Sequence, residues 1–309
     1  MASGITLRQL TIFLYVSQSG SLSDAAAKLC LSKAAVSIAI SELEKQLGHT
    51  VFDRTNNRLQ LNHQGKQLQP LADELLARHA EIEQLGQREY ASLAGLKLGA
   101  SQTIGNHLLP YILAGLNEQH RDDDTQGDKL GLIDSNIQIT NHESLCDQVA
   151  EFKLDIGITE GQVSHSDLVA LPFASDEMVI ACPPNSRLCH DGAISLHQLS
   201  GQKWLLREQG SGSREYFIKH VSPSLASWRE VYQFNSVTAI INGVSAGLGF
   251  CCLSNLSLDA SRVAEKLQRV KLDKPLMREY SIVLHKKKFR SVGLNQLVGF
   301  MQSWAKSQS

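Results

Sequence analysis

Long hydrophobic runs are missing from this sequence. No stretch approaches the roughly 18 to 20 uninterrupted apolar residues that a membrane-spanning helix needs, and the start lacks the charged and then apolar segments of a secretory signal peptide. Both absences predict a cytoplasmic protein without membrane association. With 309 residues, the chain is long enough for two or three folding units.

Cysteine is sparse, and several common catalytic motifs are missing. None of the six cysteines forms a CxxC pair or a His/Cys cluster with zinc-ligand spacing. We therefore expect reduced, buried thiols and no metal or other cofactor. The adjacent Cys251 and Cys252 leave a redox-responsive regulator as an alternative. Because no HExxH, Walker or dinucleotide-binding motif is present, we expect no enzyme activity.

A global excess of positive charge is also absent, because the net charge is −1. The charges are unevenly distributed, however, and residues 1 to 66 carry seven basic and four acidic side chains. This local excess is modest and does not by itself indicate nucleic-acid binding.

Three helices and a hairpin are predicted in the first 65 residues. Apolar residues at helical spacing predict a first helix that ends at Gly20 and a second that is capped by Ser23. A third helix is predicted from Ser32 to Gly48, and strand-like segments at 51 to 62 predict a β-hairpin. This arrangement has the dimensions of a winged helix-turn-helix.

The third helix has two contrasting faces on a helical wheel. One face carries large apolar residues for the core, and the other carries small residues and an isoleucine. Small side chains let a helix lie close in a DNA major groove, where hydroxyls and apolar groups contact base edges. Packing of the isoleucine, Ile38, against a neighbouring helix is the alternative. The residues predicted to contact DNA on this helix are Ser32, Lys33, Ala34, Ser37, Ile38 and Ser41.

Two arginines flank the predicted wing turn. Arg54 and Arg58 have the placement expected for phosphate contacts or insertion into the minor groove. The alternative is that they are ordinary surface arginines.

A long helical segment follows the wing. Residues 66 to 92 carry an apolar stripe that includes Leu71, Leu75 and Ile82. A lone helix of this length cannot bury its own stripe, so the pattern predicts a linker helix that dimerises. A core helix within one domain is the alternative.

From residue 93 onward, strand-like and helical segments alternate, which predicts an α/β unit with a mostly parallel sheet.

Several spaced motifs lie in the first 65 residues: Leu7-Arg8-Gln9-Leu10, Phe13, the segment 20–37, Leu43-Glu44, Leu47-Gly48 and Val51-Phe52-Asp53-Arg54. Together they resemble the LysR-type transcriptional regulator family. The resemblance implies a winged helix-turn-helix at 1–65, a dimerising linker helix at 66–92 and an effector-binding domain at 93–309. That domain would be Rossmann-like and two-lobed, like periplasmic binding proteins. Its first lobe, RD-I, would comprise 93–168 and 268–309, and its second lobe, RD-II, would comprise 169–267. Ala34 and Ile38 stand where many members have proline and arginine.

The family resemblance also implies partners. These are double-stranded DNA at promoter half-sites, a small effector between the lobes, and further copies of the chain in a dimer and then a tetramer. RNA polymerase is a further candidate. A two-lobed binding protein without a DNA-directed function is the rival interpretation. Motifs of the second half, including Thr103-Ile104-Gly105-Asn106 and Gly210-Ser211-Gly212-Ser213-Arg214-Glu215, resemble the YeiE/CysL-like branch, which is associated with sulfite and sulfur metabolism.

Two predicted helix starts in the effector domain carry hydroxyl groups. Unpaired amides at a helix start favour an anion, so two such starts facing each other would clamp a small oxyanion such as sulfite or sulfate. Ordinary N-caps are the alternative for each hydroxyl. The carboxylates of Glu143 and Glu160, which the branch places in the cleft, would repel an anion unless they are screened or hydrogen-bonded. The alternative is that they orient Arg207 or Arg214. The predicted effector residues are Ser101, Gln102, Thr103, Glu143, Glu160, Arg207, Ser211, Gly212, Ser213, Arg214 and Ser236.

Overall fold

A computed structural model describes residues 4–55, 58–83, 93, 95–121, 137–184, 186–189, 192–259 and 267–307. Within these ranges, no helix combines the length and the apolar character needed to cross a bilayer.

The N-terminal unit consists of three helices and a hairpin. Each helix follows a residue whose side chain accepts a backbone amide hydrogen bond: Thr6, Ser21 and Ser32. The prediction of Ser23 as the second cap is wrong, because Ser21 has the extended backbone of an N-cap and accepts from the amide of Asp24 at 3.3 Å. The elements are α1 (Leu7–Ser19), α2 (Leu22–Lys28), α3 (Lys33–Leu47), β1 (Phe52–Thr55) and β2 (Arg58–Leu61).

One hydrophobic core joins these elements. Phe13, Val36 and Leu43 are fully buried at its centre. The hairpin is tied to α1 because the amide of Leu59 donates to the carbonyl of Gly20 at 2.9 Å. Gly20 ends α1 in the left-handed conformation, with φ 66°. The helices and the hairpin therefore form the packed winged unit that the sequence predicted.

A single helix of 21 residues, α4 (His63–Glu83), leaves the winged unit. Its predicted apolar stripe is largely unburied, since Leu71 and Ile82 are each 64% exposed and Leu75 is 46% exposed. The rest of the predicted linker, 84–92, lies outside the described residues.

The effector unit alternates strands and helices, as the sequence predicted. Its first half contains β3 (Leu98–Ser101), α5 (Gln102–His107), α6 (Leu109–Arg121), β4 (Gln138–Thr140), α7 (His142–Ala150), β5 (Ile156–Glu160) and β6 (Leu168–Cys182). Its second half contains β7 (Lys203–Arg207), α8 (Gly212–Tyr216), β8 (Arg229–Phe234), α9 (Val237–Ser245), β9 (Cys251–Ser254), α10 (Asn255–Asp259), β10 (Gln268–Arg269), β11 (Leu276–His285) and α11 (Val292–Ser307).

The strand pairing is mixed, so the expectation of a mostly parallel sheet is wrong. β3 is parallel to β4 and β5, and β7 is parallel to β8. β11 is antiparallel to β5 and β6, and β6 is antiparallel to β9 and β10. β11 lies between β5 and β6 and runs opposite to both, which interrupts the parallel pattern of β3, β4 and β5. The main sheet has the order β10-β6-β11-β5-β3-β4.

Two strands are shared by two hydrophobic cores. The first half of β6 and the second half of β11 pack in a core around Ile158 and Ile282, whereas their other ends pack near Trp204 and Phe217. The pairing of β6 with β11 shifts by one residue between Tyr280 and Ser281, which is a β-bulge. The residue ranges given above for the two lobes, RD-I and RD-II, remain a prediction.

Candidate DNA-binding surface and effector cleft

The exposed face of α3 is the face predicted to meet DNA. Val36, Ile40 and Leu43 are buried, whereas Ile38 is 59% exposed. This exposure favours the DNA-facing prediction for Ile38 over packing against a neighbouring helix. The other predicted DNA contacts on this element are exposed or, for Ser37, partly exposed: Ser32, Lys33, Ala34, Ser37 and Ser41.

The wing presents two exposed arginines. Arg58 pairs in register with Thr55, and Arg54 lies opposite Leu59. The turn between them, residues 56–57, lies outside the described residues. No ion pair within the described part of the chain engages either guanidinium group, so both are available to phosphates.

In the effector unit, two hydroxyl groups converge on one carboxylate. The hydroxyl of Ser101 donates to Oε2 of Glu160, and Thr103 Oγ1 donates to Oε1 of Glu160 at 3.2 Å. They meet because β3 and β5 are parallel neighbours that end at the same edge of the sheet. All three residues are buried, with Glu160 only 3% exposed. Ser101 makes no side-chain cap bond to α5, so the ordinary N-cap alternative fails for this residue.

Arg278 supplies a positive charge beside this carboxylate, and the sequence analysis missed it. Its Nη1 lies 3.8 Å from Oε1 of Glu160, and its Nε donates to Asp176 at 2.7 Å. Burial acts to lower the pKa of Arg278, but the two carboxylates raise this pKa overall, so the guanidinium stays charged. Strand alternation is the signal that identifies it, because Arg278 and Tyr280 face inward while Glu279 faces outward.

The start of α8 closes the cleft from the other lobe. Gly212 packs so tightly that a side chain there would lie 2.7 Å from the carbonyl oxygen of Glu160. Ser213 Oγ accepts a hydrogen bond from Arg278 Nη1 at 3.5 Å. Ser211 is buried, and its hydroxyl does not cap α8. The two predicted hydroxyl clusters thus meet around Glu160 and Arg278.

Arg207 and Arg214, which were predicted to be effector residues, bind carboxylates other than Glu160. Arg207 binds Glu208 through two hydrogen bonds of 2.8 Å, and Arg214 binds Glu230 through two of 2.8 Å. The expectation that Glu143 or Glu160 orients these arginines is therefore wrong, because each guanidinium has a carboxylate partner in its own lobe. Among the described residues, no ion pair joins either arginine to Glu160.

Three further predicted residues lie where the lobes meet. The amide of Glu143 donates to the carbonyl of Gly210 at 3.0 Å. Gln102 Nε2 lies 3.5 Å from the carbonyl oxygen of Asn235. Ser236, the residue after Asn235, is an ordinary N-cap whose side chain accepts a hydrogen bond from an amide of α9.

The cysteines do not form a reactive cluster in the described structure. Cys146, Cys251 and Cys252 are buried and free, and burial raises the pKa of the Cys146 and Cys252 thiols to about 12. These thiols stay protonated and poorly nucleophilic at neutral pH. The expectation of reduced, buried thiols is wrong for two residues, since Cys30 is exposed at the turn after α2 and Cys182 is in a disulfide.

Comparison with known proteins identifies two domains. The family described as bacterial regulatory helix-turn-helix protein, lysR family, matches residues 7–66, and the LysR substrate binding domain matches residues 94–306. A full-length OxyR variant from Pseudomonas aeruginosa has the same fold, with a TM-score of 0.75 at 20% identity over 98% of this chain and 95% of that chain.

Two relatives extend over most of the sequence. The uncharacterized HTH-type transcriptional regulator YeiE of Escherichia coli (strain K12) is 34% identical over 96% of this chain and 97% of its own length. The HTH-type transcriptional regulator CysL of Bacillus subtilis (strain 168) is 29% identical over 79% of each chain. These families and relatives are regulators and not enzymes, as the sequence predicted. The chain therefore belongs to the LysR family of transcriptional regulators, with an N-terminal DNA-binding domain and a C-terminal effector-binding domain.

Proposed function

We propose that this regulator reads base edges of promoter half-sites with α3 and grips phosphates with Arg54 and Arg58. The observation that carries this proposal is Ile38, an apolar side chain 59% exposed on a helix whose opposite face is buried. An exposed isoleucine amid small residues suits contact with a thymine methyl in the major groove. The wing arginines are unpaired in the described structure, which suits phosphate neutralisation.

The two kinds of contact have different signatures in mutants. Arg58→Ala is expected to weaken binding to every duplex similarly and to reduce the salt dependence of binding by about one unit of slope. Ile38→Ala and Ser37→Ala are expected to change the ranking of sequences instead. Fluorescence anisotropy with the region upstream of the chain's own gene and with scrambled duplexes, at several salt concentrations, measures both effects.

The matched control is Arg269→Ala, which removes an exposed arginine from the effector domain. It should leave binding unchanged. Equal loss on all duplexes from every substitution in α3 would contradict the proposed division of roles.

The exposed stripe on α4 supports dimerisation through the linker helices, and we propose that dimers pair into tetramers through their effector domains. This assembly would act in the cytoplasm, with RNA polymerase as a further partner. It would place several winged domains on spaced half-sites, as symmetric assemblies of DNA-binding proteins do.

For the effector we propose a small oxyanion held by Ser101, Thr103 and the Ser211 to Ser213 segment. The support is that Ser101 and Thr103 already hold a carboxylate, that of Glu160, which has the hydrogen-bonding chemistry of an oxyanion. The guanidinium of Arg278 and the carboxylates of Glu160 and Asp176 surround the proposed binding position. An anion therefore binds only when Glu160 moves aside. That movement gives the ligand a different affinity for two arrangements of the lobes, which allosteric control requires.

Among oxyanions, sulfite and sulfate are favoured by the resemblance to the YeiE/CysL-like branch. A thermal-shift screen of the full chain with sulfite, sulfate and small carboxylates is expected to raise the melting temperature by several degrees with one anion. Thr103→Ala and Ser211→Ala should abolish the shift, whereas Ser224→Ala, at an exposed serine, should keep it. A flat response to all anions would refute the proposal.

A further inference from the structure

The DNA-binding half of the chain contacts the effector domain through polar groups. Gln18 of α1 donates through Nε2 to the carbonyl of Phe152 at 2.9 Å. Gln69 of α4 donates in the same way to the carbonyl of Glu151 at 3.0 Å. Near the other end of α4, a carboxylate oxygen of Glu81 accepts from the amide of Val292 at 3.0 Å. These contacts fix α1 and α4 on one edge of the effector domain.

An ion triad lies at the centre of this contact. Lys288 Nζ donates to both carboxylate oxygens of Asp73, on α4, at 2.8 and 2.9 Å. The same ammonium donates to Oδ1 of Asp155, in the effector domain, at 2.5 Å. The other oxygen of Asp155 accepts from the amide of Lys97 at 2.7 Å. All three charged side chains are largely buried, so neither carboxylate has water as a ready substitute for Lys288.

The triad and the effector cleft lie at opposite ends of the same two strands. Asp155 immediately precedes β5, and β5 ends at Glu160. Lys288 closely follows β11, which carries Arg278 near its beginning. β5 and β11 are paired antiparallel neighbours, with Tyr280 opposite Glu160. Five residues of strand separate the two ends, which corresponds to about 17 Å.

We propose that Asp73, Lys288 and Asp155 form an interdomain lock that holds the linker helix on the effector domain and connects it, through β5 and β11, to the Glu160–Arg278 pair in the cleft. The lock is asymmetric, because Lys288 and Asp155 belong to the effector domain and Asp73 alone comes from α4. Loss of Asp73 leaves a neutral pair in the effector domain. Loss of Lys288 leaves two buried carboxylates facing each other, which drives α4 away. The connection to the cleft rests on the proposed effector function, whereas the lock itself does not.

Hydrogen–deuterium exchange on the full chain without effector tests the lock. Lys288→Met is expected to speed amide exchange of residues 71–81 by about tenfold or more, because the opened interface removes their protection. Lys287→Met, which makes the same chemical change at the exposed neighbouring residue, should have no effect. Adding Asp73→Asn to Lys288→Met removes the repulsion and should slow exchange again. The lock is refuted if Lys288→Met behaves like Lys287→Met, or if Asp73→Asn brings no recovery.

The connection to the cleft has its own readout. Glu160→Gln is expected to change the exchange of residues 71–81 in the otherwise unaltered chain, and to lose this effect in the Asp73→Asn/Lys288→Met background. An equal effect in both backgrounds, or none in the unaltered chain, refutes the connection. If Glu160→Gln changes exchange of residues 71–81 but added sulfite does not, the proposed effector fails while the connection stands.

Discussion

Replacement of Arg278 by methionine is expected to lower the free energy of unfolding of the effector domain by about 3 to 5 kcal/mol. The substitution leaves the carboxylates of Asp176 and Glu160 buried without the guanidinium, whose Nε now donates to Asp176 at 2.7 Å. Asp176 also accepts from Ser254 at 2.9 Å, so the disturbance reaches the pairing region of β6 and β9. Urea unfolding of the full chain, followed by near-ultraviolet circular dichroism, measures the loss.

A second variant separates charge from packing. Arg278→Met/Asp176→Asn carries one fewer unpaired carboxylate, so it should regain a substantial part of the lost stability. The control Arg269→Met removes an arginine that pairs with Asp259 at the surface, and its cost should stay below about 1 kcal/mol. Similar losses for Arg278→Met and Arg269→Met would show that the buried charges are not what stabilises the cleft.

Glutamates at Leu71 and Leu75 together are expected to convert the proposed dimer into a monomer. Burial of one leucine contributes roughly 1.5 to 3 kcal/mol, and a two-fold interface uses each leucine twice. Even partial burial therefore predicts a rise of at least about 100-fold in the dimer dissociation constant. Sedimentation equilibrium measures the mass, and gel shifts on a paired half-site report the accompanying loss of DNA affinity.

The control for this change is Glu74→Gln on the same helix. Glu74 forms a surface ion pair with Arg78 at 2.9 Å, so its loss should alter neither mass nor helicity. A Leu71→Glu/Leu75→Glu chain that remains dimeric at the same concentrations would show that α4 does not carry the dimer contact.

The winged unit was predictable because its signals are local. The Ser32 cap, the left-handed Gly20 and Gly48, and the helical spacing of apolar residues each depend on a few consecutive residues. The misplaced cap of α2 has the same origin, because two serines lie two residues apart and only the backbone geometry at Ser21 distinguishes them.

The effector cleft was predictable only in part. Ser101, Thr103 and Glu160 were named from their motifs, but their bonding to one another depends on the pairing of β3 with β5. Arg278 was missed because its partners lie far away in the sequence. Arg207 was expected in the cleft, whereas its adjacent neighbour Glu208 binds it. Ion pairs between distant segments leave no periodic pattern in a sequence.

The bulge at Tyr280 and Ser281 has a consequence for engineering. Because both lobes share β6 and β11, the described part of the chain offers no flexible linker at which one lobe could be exchanged for that of a relative. A chimera must instead be spliced inside two paired strands. The bulge is a suitable junction, because the ladder is already interrupted there and a new sequence disturbs the fewest hydrogen bonds. Exchange at this point would replace the Ser211 to Ser213 segment and Arg278, while Ser101, Thr103 and Glu160, the host's DNA-reading half and its interdomain contacts stay in place.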